Sequence, residues 1–562
     1  MGQLDAQNTT MKKLLFLLLI FLSGAAHAHV GSSGVQMQAQ AGPYQVLVSV
    51  LPPDVIPGTA SISVFVETGK ASRMTARPIY FKSGGKGAPS ADALEVVPGQ
   101  PGQFKGIVWF MEGGSSSVQI HMEGDQGSAE LIVPMMAVST AQRGMPQGLG
   151  LGLSILGLLL FLLIITTIGA SVSDALLPAG ASLSAAQKRK RWMNMGIAAV
   201  VCTLVLYGGS SWWNSWAEEY SQYMYRPLQG TSRIRLTNNQ RIFELEIDTT
   251  DWQARNRGSM LSTLIPDHGK LMHTFLIRIP AMDAFAHVHP ERKDSTTFQS
   301  VLPGLPAGKY LVYADIVRYS GFAETITDTL LIPERKDTTA VAPLPSSAED
   351  AFVITNPIDA REKGGPADNF VICGKPGSKT VFQDGSYVVW EGQGNEALEA
   401  GKPYQLKFAI FNPDGSACLP EPYLGMLGHA AVVRTDGSVY IHLHPAGSFP
   451  MAAGQLFKNR LADTTKVMKR PVPAVFRDSV DRYLSRLAAM SVPVREEFLM
   501  TEMGMYDTSD ASMSGMNHTN LISFPYSFPK EGSYRLFLQV KRNDRVLTGA
   551  FDVKVRGTDG VL

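Results

Sequence analysis

Along most of the chain apolar and polar residues alternate in short runs, separated by Gly, Pro and Ser. The runs YQVLVSV (44–50), SISVFVE (61–67), FKGIVWF (104–110) and SVQIHME (117–123) follow this pattern. So do FELEIDT (243–249), MHTFLIRI (272–279), FAHVH (285–289), TFQSVL (297–302) and KYLVYADIV (309–317), and GSYRLFLQVK (532–541) matches the last of these. A period of two between turn-forming residues predicts half-buried β-strands. The alternation breaks in four places. Residues 11–28, MKKLLFLLLIFLSGAAHA, place two lysines before an apolar run and end in Ala26-His27-Ala28, the signature of a secretory signal. Residues 148–169 and 193–213 are uncharged and long enough to span a bilayer. Residues 476–490, FRDSVDRYLSRLAAM, change to a helical period.

These elements predict a mainly β chain. It has three immunoglobulin-like β-sandwich modules, two transmembrane helices and a short helical insertion. The modules fall at residues 29–145, 217–335 and 366–562. A linker rich in Ala, Pro, Ser and Thr occupies 336–365, and the insertion lies within 446–521. Lys188, Arg189, Lys190 and Arg191 sit between the two spans, in a loop over 170–192. The positive-inside rule holds that loop on the cytoplasmic side, and Trp212, Trp213 and Trp216 fall at the outer interface. Both large flanks are therefore expected on the outer side of the membrane. The spans carry no charge, which argues for anchors rather than a transport path.

Composition narrows the function. The 562 residues leave room for three or four domains, and the net charge of +1 argues against a nucleic-acid partner. Of 11 histidines, six fall in one repeated pattern. Residues 271–290, LMHTFLIRIPAMDAFAHVHP, and 427–445, LGHAAVVRTDGSVYIHLHP, each place a His before an apolar run, a turn, a second apolar run and His-x-His-Pro. Asp436-Gly437 is a strong two-residue hairpin signal, because the type I′ turn needs positive φ at both central residues. Closure there pairs His429 with His444, and His442 lies two residues away on the same face. A three-residue turn around Pro280–Met282 pairs His273 with His289, with His287 beside it. Side chains opposed on paired strands stand about 4.5–5.5 Å apart at Cβ. Each triplet can therefore hold an ion, and neutral imidazole suits copper, zinc, nickel and iron. The expectation is two separate sites of equivalent design, His273/His287/His289 and His429/His442/His444. The other reading is a set of structural, hydrogen-bonded histidines.

Further candidates surround this pattern. Asp315 falls on the neighbouring strand as a carboxylate ligand or a hydrogen-bonding residue, and Gln539 takes its place in the second copy. His268 precedes the first hairpin and reaches it from a loop. Cleavage after Ala28 leaves His29 as the first residue, whose amine and imidazole form a compact Cu(II) chelate; the alternative is a mobile terminus. The segment MTEMGMYDTSDASMSGMNH holds Met503, Met505, Met513, Met516 and His518 in polar surroundings. Thioethers select Cu(I), and the alternative is a loop with incidental methionines. Cys373 and Cys418 are the two cysteines on the outer side. A disulfide is permitted there, although spacing alone does not establish one. Cys202, inside the second span, reads as packing.

Residues 29–60, 265–291 and 421–448 resemble bacterial envelope proteins with copper-associated β-sandwich modules, of which the copper-resistance periplasmic (CopC-like) and YtkA-like domains are the nearest. The resemblance implies His29 as a Cu(II) ligand. It departs from that pattern in lacking an Asp-Gly-His segment near the end of residues 30–140, where His121 is the remaining histidine. Together these readings predict a membrane-anchored metal-binding protein that sequesters, delivers or confers resistance to copper, with zinc or another transition metal as alternatives. Its partners would be the bilayer and a periplasmic copper protein or exporter. No nucleophile–base pair, phosphate loop or zinc-protease helix points to an enzyme. The rival readings are a metallo-oxidoreductase of the envelope and a metal-free assembly or adhesion scaffold.

Overall fold

The computed structural model describes residues 34–142, 144–178, 180–237, 240–250, 263–334, 347–358, 378–392, 398–464, 468–502 and 519–557. The chain is mainly β, with five α-helices among the described residues. It divides into two compact units. One contains residues 53–58 and 138–226, and the other contains the rest.

The smaller unit holds two helices, Gln147–Ser171 and Ala185–Tyr223, both long and apolar enough to cross a membrane. The second starts earlier and ends later than the apolar stretch 193–213. Ser184 caps it, and a reciprocal bond with Gln187 completes a capping box, so the helix begins upstream of the basic run. Lys188–Arg191 therefore lie in the first turns of that helix, not in a loop extending to 192.

The larger unit contains every sheet. Its N-terminal sheet has eight strands, and alternation along Tyr44–Leu51 and Gly58–Thr68 buries one face of each. Met122 is buried and His121, next to it, is partly exposed, as that period requires. His121 is flanked by Glu123 and Glu130.

The first His hairpin lies in a ten-stranded sheet. Its strands His273–Ile279 and Ala284–Val288 pair antiparallel with Thr274 opposite Val288, the register that sets His273 against His289. Its turn holds Met282 at φ 51°. His273 also stands opposite Asp315, on strand Gly308–Arg318. The outer edge of the hairpin is covered by a strand not anticipated from composition, Ala351–Ile354, which lies inside the linker and pairs with Ala284–Val288.

The second hairpin, His429–Arg434 with Tyr440–Leu443, sits in a five-stranded sheet. Ala430 pairs with Leu443, again the register expected from the Asp-Gly turn, and His429 stands opposite Gln539. The insertion that follows carries three helices, Met451–Ala462, Pro473–Ala488 and Val492–Glu502, where one was expected.

The hairpin strands are buried on both faces, which explains their nearly continuous apolar character. One face of the first hairpin joins a core that includes Leu276, Ala286, Val288 and Val312. One face of the second joins a core with Val432, Leu443, Leu536 and Leu538. The remaining faces meet in a third cluster, where Phe275, Phe285 and Tyr313 of the first sheet pack on Ala431, Tyr440 and Phe537 of the second. Phe285 stacks on Phe537 with ring centroids 4.2 Å apart, and Tyr313 stacks on Tyr440 at the same separation. Because side chains recur every second residue, the histidines share a face with this cluster: His273 with Phe275, His287 with Phe285, His429 with Ala431, and His442 with Tyr440.

Candidate metal centre

Seven histidines meet in this layer: His268, His273, His287, His289, His429, His442 and His444. All are buried, and His287 and His429 are 0% exposed. His268 arrives from a tight turn in which Asp267 and Lys270 exchange backbone hydrogen bonds. It has φ +53°, followed by Gly269 at φ +76°, the two positive values of a type I′ turn. Histidine is among the residues enriched in that left-handed region. The second copy repeats the turn at Tyr423–Met426, with Leu424 at φ +50° where the first has His268.

Donor atoms group in two trios, His268/His429/His444 and His273/His287/His442, each with its ligating atoms within 4.8 Å of one another. This grouping differs from one site per hairpin. His268 of the first module joins two histidines of the second, and His442 of the second joins two of the first. The hairpins face each other, so imidazoles of the two stand at separations comparable to those within one. His273 and His442, for example, have centroids 5.3 Å apart. His289 borders the second trio, with centroids 4.4 Å from His287 and 4.9 Å from His273.

Hydrogen bonding sets the tautomers. His444 Nδ1 lies 2.9 Å from the Phe449 carbonyl and donates to it, leaving a lone pair on Nε2, which faces His268 Nε2 at 3.1 Å. His273 Nε2 donates to the Asp267 carbonyl at 3.0 Å, leaving a lone pair on Nδ1. His287 Nδ1 lies 2.9 Å from the Gln539 side-chain amide, whose Nε2 has no hydrogen-bond partner among the described residues, so the amide can accept from the ring or, turned over, donate to it. The Tyr423 hydroxyl, 3.4 Å from the same nitrogen, gives its own proton to the Glu349 carbonyl and so can only accept there. His287 Nε2 lies 3.2 Å from His273 Nδ1.

Of the remaining rings, His289 is anchored in the same way. His289 Nδ1 donates to Asp350 Oδ1 at 2.8 Å, and its Nε2 is buried with no hydrogen-bond partner among the described residues. His442 Nε2 and both nitrogens of His429 are likewise buried and without such partners. Each unpaired buried polar group costs about 1–3 kcal/mol. A metal ion offsets that cost, because imidazoles that bind a metal use the other nitrogen to donate to a carbonyl or carboxylate. Burial holds every ring in the neutral form that binds a metal, pushing His273 and His444 down to about 4 and the other five well below the ordinary value.

Asp315 stands behind this layer. Its carboxylate accepts from Thr325 at 2.5 Å and from Tyr440 at 2.8 Å, and lies 3.7 Å from His442 Nδ1, outside both trios. Burial raises its pKa to about 6. Cys418 is buried, and its sulfur accepts from Arg542. His29, Met503, Met505, Met513, Met516, His518 and Cys373 lie outside the described residues.

Three contributors escaped the pattern reading. Asp350 lies in the linker, 61 residues from His289. Asp267 supplies a carbonyl to His273, and its Oδ2 lies 3.4 Å from His268 Nε2. Tyr423 bridges the layer to Glu349. Only Asp267, adjacent to His268, had a local signal.

Residues 379–468 match the family model described as a domain of unknown function (DUF8832). That stretch includes the second His hairpin. No curated protein matches the chain. Among solved structures, dimeric latent PorU from Porphyromonas gingivalis is similar at 9% identity and a TM-score of 0.13, over 93% of this chain and 34% of that one. A putative membrane anchored protein from Corynebacterium diphtheriae is similar at 8% identity and a TM-score of 0.14, over 94% of this chain and 97% of that one. Scores this low carry no argument about fold or function, and the matched domain covers 379–468 alone, so the histidine layer has to be interpreted from its own chemistry.

Proposed function

We propose that this is a metal-binding protein of the bacterial envelope, anchored in the inner membrane by its two apolar helices, with three immunoglobulin-like modules on the periplasmic side. The ion is copper, and the role is sequestration, delivery to a periplasmic copper protein or exporter, or resistance. One observation carries the metal reading: the Nε2 atoms of His289 and His442 and both nitrogens of His429 are buried without a hydrogen-bond partner among the described residues, in a layer where two imidazole trios each hold their donor atoms within 4.8 Å. A purely structural histidine cluster would pair those nitrogens. The donor set, all neutral imidazole, suits copper and zinc and disfavours hard cations. Burial of all seven rings favours holding an ion over turning over a substrate.

The test is the metal content of full-length protein purified in detergent without a polyhistidine tag. Retained copper or zinc, removed by chelator and restored by dialysis against Cu(II), is the expected result. Folded protein that takes up neither Cu(II), Cu(I) nor Zn(II) would overturn the reading.

A further inference from the structure

We propose that the histidine layer holds two metal ions, one on His268, His429 and His444 and the other on His273, His287 and His442, so that each ion ties the two hairpin modules together. This rests on the metal-binding reading above. Each trio is a complete three-imidazole set within 4.8 Å, and no histidine belongs to both. The trios are adjacent: His442 and His444 have centroids 4.4 Å apart, and His268 and His273 are 5.8 Å apart. His289, with its inward Nε2 unpartnered, supplies a fourth imidazole beside the second trio.

Six neutral rings alone would leave two cations uncompensated in a buried site. Three carboxylates border the layer. Asp267 lies against His268, Asp350 against His289 and Asp315 near His442. They offset the charge, and Asp350 also orients its imidazole from behind, since it accepts from His289 Nδ1 while Nε2 stays unpartnered. The sequence repeat is broken where the first ion needs it, because His268 stands where the second turn has Leu424. The two ions therefore have unequal surroundings although the hairpins are equivalent.

The experiment is Cu(II) titration of the full-length chain in detergent, reading bound copper per protein, with folding of every variant checked by circular dichroism. Wild type should bind two ions. His287→Asn and His429→Asn should each bind one. The double variants decide the grouping. His287→Asn with His442→Asn should still bind one ion, because both residues serve the same one, and His429→Asn with His442→Asn should bind none. If the ions followed the hairpins, those two results would exchange, and the proposal would fall. Saturation at one ion overturns the pair while leaving the metal-binding function intact, and no binding by folded wild type, with Cu(I) and Zn(II) also refused, overturns that function itself. Electron paramagnetic resonance gives a second measurement on wild type. Two Cu(II) ions in one side-chain layer should broaden or cancel the signal seen in His429→Asn, and two ions with unbroadened spectra would show separate sites.

Discussion

His268 Nε2 lies 3.1 Å from His444 Nε2, across 176 positions of sequence and between two modules. His444 is held by the Phe449 carbonyl, so its lone pair is directed at His268. Substituting His268→Leu places there the residue that the second copy carries in the same turn, at nearly the same φ. The fold should survive. Loss of a ligand should lower Cu(II) affinity by at least about 100-fold, the upper range for losing an orienting partner alone. Competition with a chelator of known affinity measures this; unchanged affinity would exclude His268 as a ligand.

Asp350 fixes His289 through both its ring and its backbone N–H. Asp350→Asn keeps the size but weakens the acceptor and its charge. Copper affinity should fall about 10–100-fold, with stoichiometry unchanged. Loss of one whole ion would instead make His289 essential to its site.

Acid should destabilise the metal-free protein. The unfolded chain protonates histidine near 6.5, but burial pushes all seven rings lower, His273 and His444 to about 4. Between those values the unfolded state binds more protons, so stability falls as pH falls through that window. Asp315 works the other way. Its folded value, about 6, lies above the unfolded 3.8, so its contribution is present at low pH and lost as pH rises through 6. Seven groups oppose one, and the histidines dominate. Urea midpoints measured from pH 7 to 4 on chelated protein should fall throughout, and a flat profile would contradict neutral burial.

Phe285 and Phe537 stack across the two sheets beside the histidine layer. Phe537→Ala should cost about 3–5 kcal/mol, the usual range for a buried aromatic. It should also weaken copper binding, because the trios depend on the sheets staying in contact. Saturating copper should recover part of the lost stability, about 2.7 kcal/mol at 100 times Kd. Thermal unfolding with and without Cu(II) measures both effects.

Topology is testable with single cysteines. Gln126 and Glu391 are exposed and lie on opposite sides of the two apolar helices in sequence. In a background with Cys202, Cys373 and Cys418 replaced by serine, Gln126→Cys and Glu391→Cys should both react with a membrane-impermeant thiol reagent in intact spheroplasts. Labelling of one flank alone would overturn the two-span arrangement.

What the sequence determined by itself is local. The period of two defined the strands, and Asp436-Gly437 set the register that opposes His429 and His444. The turn around Pro280–Met282 did the same for His273 and His289. Asp315 and Gln539 fell on the next strand in equivalent places, as the repeat implied. Ser184-x-x-Gln187 already marked the helix start that the hydropathy window placed later. These features depend on residues close in the chain, where backbone geometry leaves few choices. Which histidines share an ion is decided elsewhere. Alternation shows that His273 and Phe275 share a face, but not that this face meets Ala431 and Tyr440 of another sheet. That docking depends on shape and on apolar area buried between distant segments, which carry no periodic signal. It brings His268 to His444 and His442 to His273, and it draws Asp350 out of an apparent linker to hold His289 in place.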